Sequence, residues 1–417
     1  YVSFEVTLST EADQIAIAPG YLQREWTEGA RRYFHYRMDA PIANFFAFQS
    51  GRYAVRQDVW HREGGSTPDG NAGDVPLEIY YQRGHEFNLD SMLAATKAAL
   101  SYDSRNFGPY QYRQFRIIEF PRYETFAQSF PNTIPYSEGI GFIARVRPDD
   151  LKDIDYPYYV TAHEVAHQWW GHQVMSGDVQ GGSMLVESLA QYSALMVMKE
   201  RVGPQKMRRF LAYELNRYLI GRATEQKKEL PLSRVEDQPY IHYAKGSLVM
   251  YLLADMIGED KLNQAIRRFR DDHAFQGPPY PSTSEFVARV REVTPPEMQY
   301  LIDDLFERIV LYDNRAVSAS AKALPGGRWE VTMKLVAKKR VADELGKESD
   351  AALADFIDVG VLDANGDPIA VERRKFDREE TTVTLVVDRK PAKAGIDPLN
   401  KLIDRTPKDN TVTVGGL

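Results

Sequence analysis

Three of the eight histidines fall within ten residues of one another, at His163, His167 and His172. The local run is His163-Glu164-Val165-Ala166-His167. On a helix, residues four apart lie one turn apart, so both imidazoles of His163 and His167 point the same way and can grip one metal ion. Glu164 stands about 100° round the helix, bordering such an ion without being forced to ligate it. That is the place for a general base acting on a metal-activated water. Histidine and carboxylate ligands with one open coordination position fit a single Zn²⁺ ion. With no cysteine in the chain, thiolate ligands, thiol nucleophiles and disulfides are excluded.

A third protein ligand is needed. A metzincin pattern would require glycine at position 170 and histidine at 173, where the chain has Trp170 and Gln173. His172 then reads as a nearby polar residue. The other solution is a carboxylate on a following helix. Met184 to Tyr192 is a mostly apolar helical stretch with one acid, Glu187, and Gly177, Asp178, Gly181 and Gly182 supply the turn that returns it. Asp178, in the turn itself, is the competing ligand.

The elements that must hold these groups show as changes of period. Up to about residue 57 the pattern is β-rich: Phe4, Val6 and Leu8 alternate with polar neighbours, and Ile15 and Ile17 repeat the spacing. Residues 62–74 are crowded with Gly, Pro, Asn and Asp, so a flexible connection and a boundary near 74 are expected. Residues 75–81 read as a strand, 89–100 as a helix, and 113–120 and 141–146 as strands. Beyond Tyr156 the period is helical almost to 311, with core stripes at Met207, Leu211, Leu215 and Tyr218 and at Leu262, Ile266 and Phe269. Ser282 and Glu285 form a capping box. After Asn314 the period returns to two, through Trp329, Val331, Met333, Leu335 and Ala337, residues 356–362, an Asn365-Gly366 turn, and Val383, Leu385 and Val387. This predicts an all-β C-terminal domain, a sandwich.

The run His163-Glu164-Val165-Ala166-His167-Gln168-Trp169-Trp170-Gly171, with Glu187-Ser188-Leu189-Ala190-Gln191-Tyr192 downstream, resembles the zinc aminopeptidases of the aminopeptidase-N type, the gluzincins. The resemblance implies His163, His167 and Glu187 as zinc ligands and Glu164 as base. Nineteen residues, 168 to 186, separate the second histidine from Glu187. That is one more than the family's usual spacing, and the extra residue is expected in the turn around Gly181. Tyr243-Ala244-Lys245-Gly246 resembles the family's Tyr-x-Lys-Gly, which implies that Tyr243 stabilises the oxyanion, with Tyr240 its nearest rival. Pro135-Tyr136-Ser137-Glu138-Gly139 occupies the place of the family's Gly-x-Met-Glu-Asn. Only Glu138 agrees with that motif, and it is implied to bind the substrate's α-ammonium.

By the same resemblance the fold is α+β. Residues 1–74 correspond to the latter part of an N-terminal β-domain, 75–316 to a thermolysin-like, mostly helical zinc peptidase domain, and 317–417 to a β-sandwich. The family's further amine-contacting residue would precede Tyr1. The chain opens at Tyr1 directly into a strand-like run and reads as a piece of a longer polypeptide, most similar to peptidase domains attached to bacterial ABC-type permeases. Tethering to a membrane permease in a larger bacterial membrane protein is therefore expected.

Composition narrows the alternatives. Lys+Arg 52 against Asp+Glu 59 leaves a net charge of −7, which argues against a nucleic-acid partner. A hydrophobic share of 43% and a charged share of 27% belong to a folded chain. No apolar run reaches the roughly 18 residues of a membrane span. The expected function is a zinc aminopeptidase acting on peptides. Two other readings use the same residues: a zinc endopeptidase or oligopeptidase without N-terminal anchoring, and a non-catalytic peptide-sensing module of a transporter.

Overall fold

Alternation in the first sixty residues produces short antiparallel strands. In a computed structural model that describes residues 1–62, 73–147 and 153–416, these are β1 (Glu5–Glu11), β2 (Ile15–Ile17), β3 (Tyr21–Glu28), β4 (Arg31–Arg37), β5 (Gln49–Gly51) and β6 (Ala54–Trp60). They pair as β1-β4-β3 and β2-β5. Most of the Gly-rich connection expected at 62–74 lies outside the described residues.

A mixed sheet follows, in the order β6-β7-β8-β9, from β7 (Val75–Tyr81), β8 (Phe115–Phe120) and β9 (Thr133–Ser137). β6 and β7 are antiparallel, whereas β7, β8 and β9 run parallel. All six residues of β8 are buried, as a parallel strand covered on both faces requires. The crossover helix α1 (Leu89–Phe107) extends past the expected 89–100 and packs on α2 (Tyr156–Ala166). The strand expected at 141–146 does not form: residues 138–143 turn and 144–147 are irregular. Its carbonyls are used otherwise, Gly141 and Ala144 accepting from the Asn88 amide at 2.6 and 2.8 Å. The parallel edge is instead β9, where Pro135 costs no ladder bond that the sheet needs.

Helices α3 (Leu189–Val202), α4 (Arg208–Thr224), α5 (Gly246–Ile257), α6 (Glu259–His273) and α7 (Thr283–Val293) make up the helical middle. The stripe residues of α4 and α6 are buried as their spacing predicts. The capping box opens α7, with the Ser282 N–H donating to Glu285 Oε2 at 2.7 Å and the Glu285 N–H to Ser282 Oγ at 3.4 Å. Among the described residues no helix is long and apolar enough to cross a membrane.

The C-terminal strands are β10 (Ile309–Tyr312), β11 (Arg315–Ala323), β12 (Trp329–Val336), β13 (Lys339–Ala342), β14 (Glu348–Ala351), β15 (Asp355–Leu362), β16 (Pro368–Phe376), β17 (Glu380–Val387), β18 (Lys393–Ile396) and β19 (Thr411–Gly415). Seven of them form one sheet in the order β16-β15-β18-β19-β11-β12-β17, and β10-β13-β14 form another. The large sheet doubles back until its edge strands β16 and β17 meet, burying Val331, Met333, Leu335, Val359 and Leu385 between its halves. The fold is α+β, with a β-rich N-terminal region, a helical middle and a C-terminal sheet. By contacts the chain forms two compact units, residues 1–197 with 259–293, and residues 198–258 with 294–417.

Candidate metal centre

Helix α2 starts where Asp155 caps it, its carboxylate accepting from the Tyr158 N–H at 3.2 Å, with Pro157 in the first turn. From that start the phase runs to His163 and His167 one turn on, and both are buried. His167 Nδ1 donates to the Trp170 carbonyl at 2.9 Å. This fixes the tautomer and leaves Nε2 with a lone pair. That Nε2 lies 3.0 Å from His163 Nε2. Glu187 Oε2 completes a triangle, 3.4 Å from His163 Nε2 and 3.3 Å from His167 Nε2.

These three edges are those of a tetrahedral face whose centre lies about 2 Å from each corner, the bond length of zinc to nitrogen or carboxylate oxygen. Glu187 Oε2 is buried with no hydrogen-bond partner. A Lewis acid at the common centre would satisfy all three atoms, so the residues present fit a divalent cation. The charges agree. Burial alone would lower His167, but the Glu187 carboxylate outweighs it and pushes the imidazole up to about 9. Burial alone would raise Glu187, but the charge of His167 and the close approach of both imidazoles hold it well below the usual carboxylate range. A proton and a metal ion compete for this place.

Glu164 is buried beside the triad. Burial pushes its carboxyl up to about 7, with His167 opposing and Glu187 adding to the rise. Its Oε2 has no hydrogen-bond partner. A carboxyl tuned close to neutrality is suited to taking and returning a proton.

Glu187 reaches the histidines from a tight turn. Gly181 has φ +83°, and a Cβ on Gly182 would sit 2.4 Å from the Gly177 carbonyl oxygen, so the backbone closes in a way only glycine allows. The turn carrying Glu187, Met184–Ser188, is π-wound before α3 begins. A π turn holds one residue more than an α turn. Asp178, the competing acid, is exposed and outside the triad. His172 is also outside it, and its buried ring donates from Nε2 to the Ser129 carbonyl at 3.0 Å.

Glu138 falls in a second cluster of ionisable groups. It follows β9 and gathers with His85 and Glu119. His85 Nδ1 bonds Glu119 Oε1 and lies 3.8 Å from Glu138 Oε2. The Arg122 N–H donates to Glu138 Oε1 at 3.3 Å. His85 and Glu119 escaped the sequence reading because no local spacing links positions 85, 119 and 138; adjacent parallel strands do. Tyr243 belongs to the second unit, half-buried on the π-wound turn Tyr240–Lys245, with its ring edge-on to His242 at 4.5 Å. Its rival Tyr240 stacks on Tyr218 at 6.1 Å.

Residues 91–303, just over half of the chain, match the Peptidase family M1 domain. The chain belongs to peptidase family M1, and with that membership goes the class of zinc metallopeptidase. Among solved structures, Legionella pneumophila aminopeptidase A in complex with aspartic acid is similar, with a TM-score of 0.62 at 17% identity over 97% of this chain and 44% of its own. The M1 zinc metallopeptidase of Deinococcus radiodurans gives a TM-score of 0.55 at 16% identity, over 73% of this chain and 63% of its own. A mutant of that enzyme bound to a Tyr-Ser-Ala substrate matches with the same values. At such identities the likeness is one of fold, and this chain spans less than half the length of the Legionella protein. No curated protein matches the chain in sequence.

Proposed function

We propose that the protein is a zinc-dependent aminopeptidase that hydrolyses the first peptide bond of peptides, with His163, His167 and Glu187 as the ligands of one zinc ion. The observation that supports this most is the convergence of two imidazole nitrogens and one carboxylate oxygen, 3.0 to 3.4 Å apart, next to a buried second acid. When bound, the zinc ion supplies Lewis acidity, lowering the pKa of a water and polarising the scissile carbonyl. Glu164 takes the proton of the attacking water and returns it to the leaving amine. The Trp170 carbonyl holds the His167 ring in the tautomer that turns Nε2 inward. Tyr243 donates to the developing oxyanion. Glu138 pairs with the substrate's α-ammonium and so sets where cleavage falls.

The same reading proposes domain boundaries near 74 and 316. It also proposes that the domain is carried by a bacterial ABC-type permease, so that the membrane lies in another part of the full protein. Peptides of one sequence, free and N-acetylated, test the aminopeptidase reading: strong preference for the free form is expected, and equal cleavage would make the protein an endopeptidase. In Glu164→Gln, zinc content by elemental analysis should stay at one per chain while turnover falls by about 10²–10⁴-fold. Wild-type protein that holds zinc yet hydrolyses no peptide would indicate a sensing module.

A further inference from the structure

A second π-wound turn, Tyr240–Lys245, leads into α5 and carries Tyr243. The Gly246 N–H donates to the Ile241 carbonyl, five residues back. An α turn holds one residue fewer, so the winding needs support from its neighbours, and such turns gather at functional sites. Moving the extra residue out of the turn would swing Tyr243 by about 100° relative to α5.

Both ends of the turn are held. At its start Tyr240 lies against α4, its ring stacked on Tyr218 at 6.1 Å. A Cβ on Gly221 would sit 2.3 Å from the Tyr240 Cβ, so the two segments meet this closely because residue 221 has no side chain. At its end the Lys245 side chain is buried. Among the described residues its one hydrogen bond runs from Nζ to the Arg308 carbonyl, at 3.4 Å. The same Nζ faces the Tyr218 ring at 5.8 Å. Lys245 lines a small cavity with Leu248, Leu252 and Leu305, and the nearby acid of that cavity, Asp304, is already paired with Lys339. Burial pushes the amine down to about 8, with Glu229 opposing and Arg222 adding to the fall. A buried ammonium is a costly way to fill such a space, which an apolar side chain of the same length would fill without the penalty.

We infer that Lys245 is a positioning residue for Tyr243: its ammonium ties the end of the π-wound turn to the Arg308 carbonyl, while Tyr240 against Gly221 locks the start, so the phenol between them keeps one direction. This rests on the proposed role of Tyr243 as oxyanion donor.

A double-mutant cycle in the zinc-loaded full chain tests it, with kcat and KM for a leucyl peptide read per bound zinc and stability read by urea unfolding. Lys245→Met keeps the length and removes the charge, so stability should hold or rise. Its kcat should nevertheless fall by about tenfold or more, with KM within about twofold, as for an interaction that matters in the transition state. In a Tyr243→Phe background the same change should move kcat by less than about twofold, because a residue that acts through the phenol has nothing left to act on. Should Lys245→Met fail to fold, Gly221→Ala carries the test from the other end of the turn, with the same dependence on Tyr243 expected. A kcat like wild type in Lys245→Met, or an equal fall with and without the phenol, would overturn the inference and leave the aminopeptidase reading standing. A normal kcat in Tyr243→Phe would instead overturn the oxyanion role, and the inference with it.

Discussion

Two clusters of ionisable side chains in the first unit answer the same problem in opposite ways. In the His163–His167–Glu187 triad, three Lewis bases face one point and no protein donor satisfies Glu187 Oε2. In the His85–Glu119–Glu138 group, the acids already accept from Gln82, His85 and Arg122. The first arrangement is incomplete without a strong Lewis acid. The second is held together by its own hydrogen bonds. The lesson is that donor bookkeeping, more than the types of residue, separates a triad that calls for a metal from a cluster whose acids are already hydrogen-bonded.

The sharpest way to break this contrast is to remove a ligand from each cluster. His167→Ala should weaken zinc binding by more than about 100-fold, the ceiling for a merely supporting contact, and abolish hydrolysis. His85→Gln should leave the zinc stoichiometry untouched. Equal zinc loss in both, read by elemental analysis after dialysis, would erase the distinction. Next in size, Tyr243→Phe should lower kcat by about 10²–10³-fold with zinc content unchanged, as for loss of one oxyanion donor. A normal kcat would return the role to another group.

A smaller effect is expected at the turn that carries the carboxylate ligand. Gly182→Ala drives a methyl against the Gly177 carbonyl oxygen. It should destabilise the fold by about 1–3 kcal/mol in urea unfolding, and it should weaken zinc more than it weakens the ammonium preference. The least effect on activity belongs to His172. Burial holds its pKa down at about 4, so between about 6.5 and about 4 the unfolded chain binds a proton that the folded chain refuses. Stability should therefore fall as pH drops through that window, by about 1–3 kcal/mol. His172→Gln should flatten the slope, and an unchanged slope would show that the ring titrates normally.

Much of this molecule was readable from period and spacing alone. The histidine pair needs only a helix, because a four-residue step places both rings on one face whatever surrounds it. The capping box at Ser282 and the alternating core of β12 and β17 are equally local, and each appears where its residues stand. The strand expected at 141–146 failed because alternation is a weak signal when the carbonyls are claimed from afar, here by Asn88. Glu187 is the one acid on its apolar stretch, but only the likeness to a family marks it as a ligand.

What only the tertiary structure decided is which distant residues become neighbours. The π-wound turn sets the phase that brings Glu187 Oε2 to the two imidazoles, and no propensity in residues 184–188 announces that winding. The order β7-β8-β9 gathers His85, Glu119 and Glu138 from positions 53 residues apart end to end. Helical periodicity is a property of consecutive residues and survives in a string of letters. Sheet order is a choice among pairings, made by burial on both faces, and it exists only once the chain has folded.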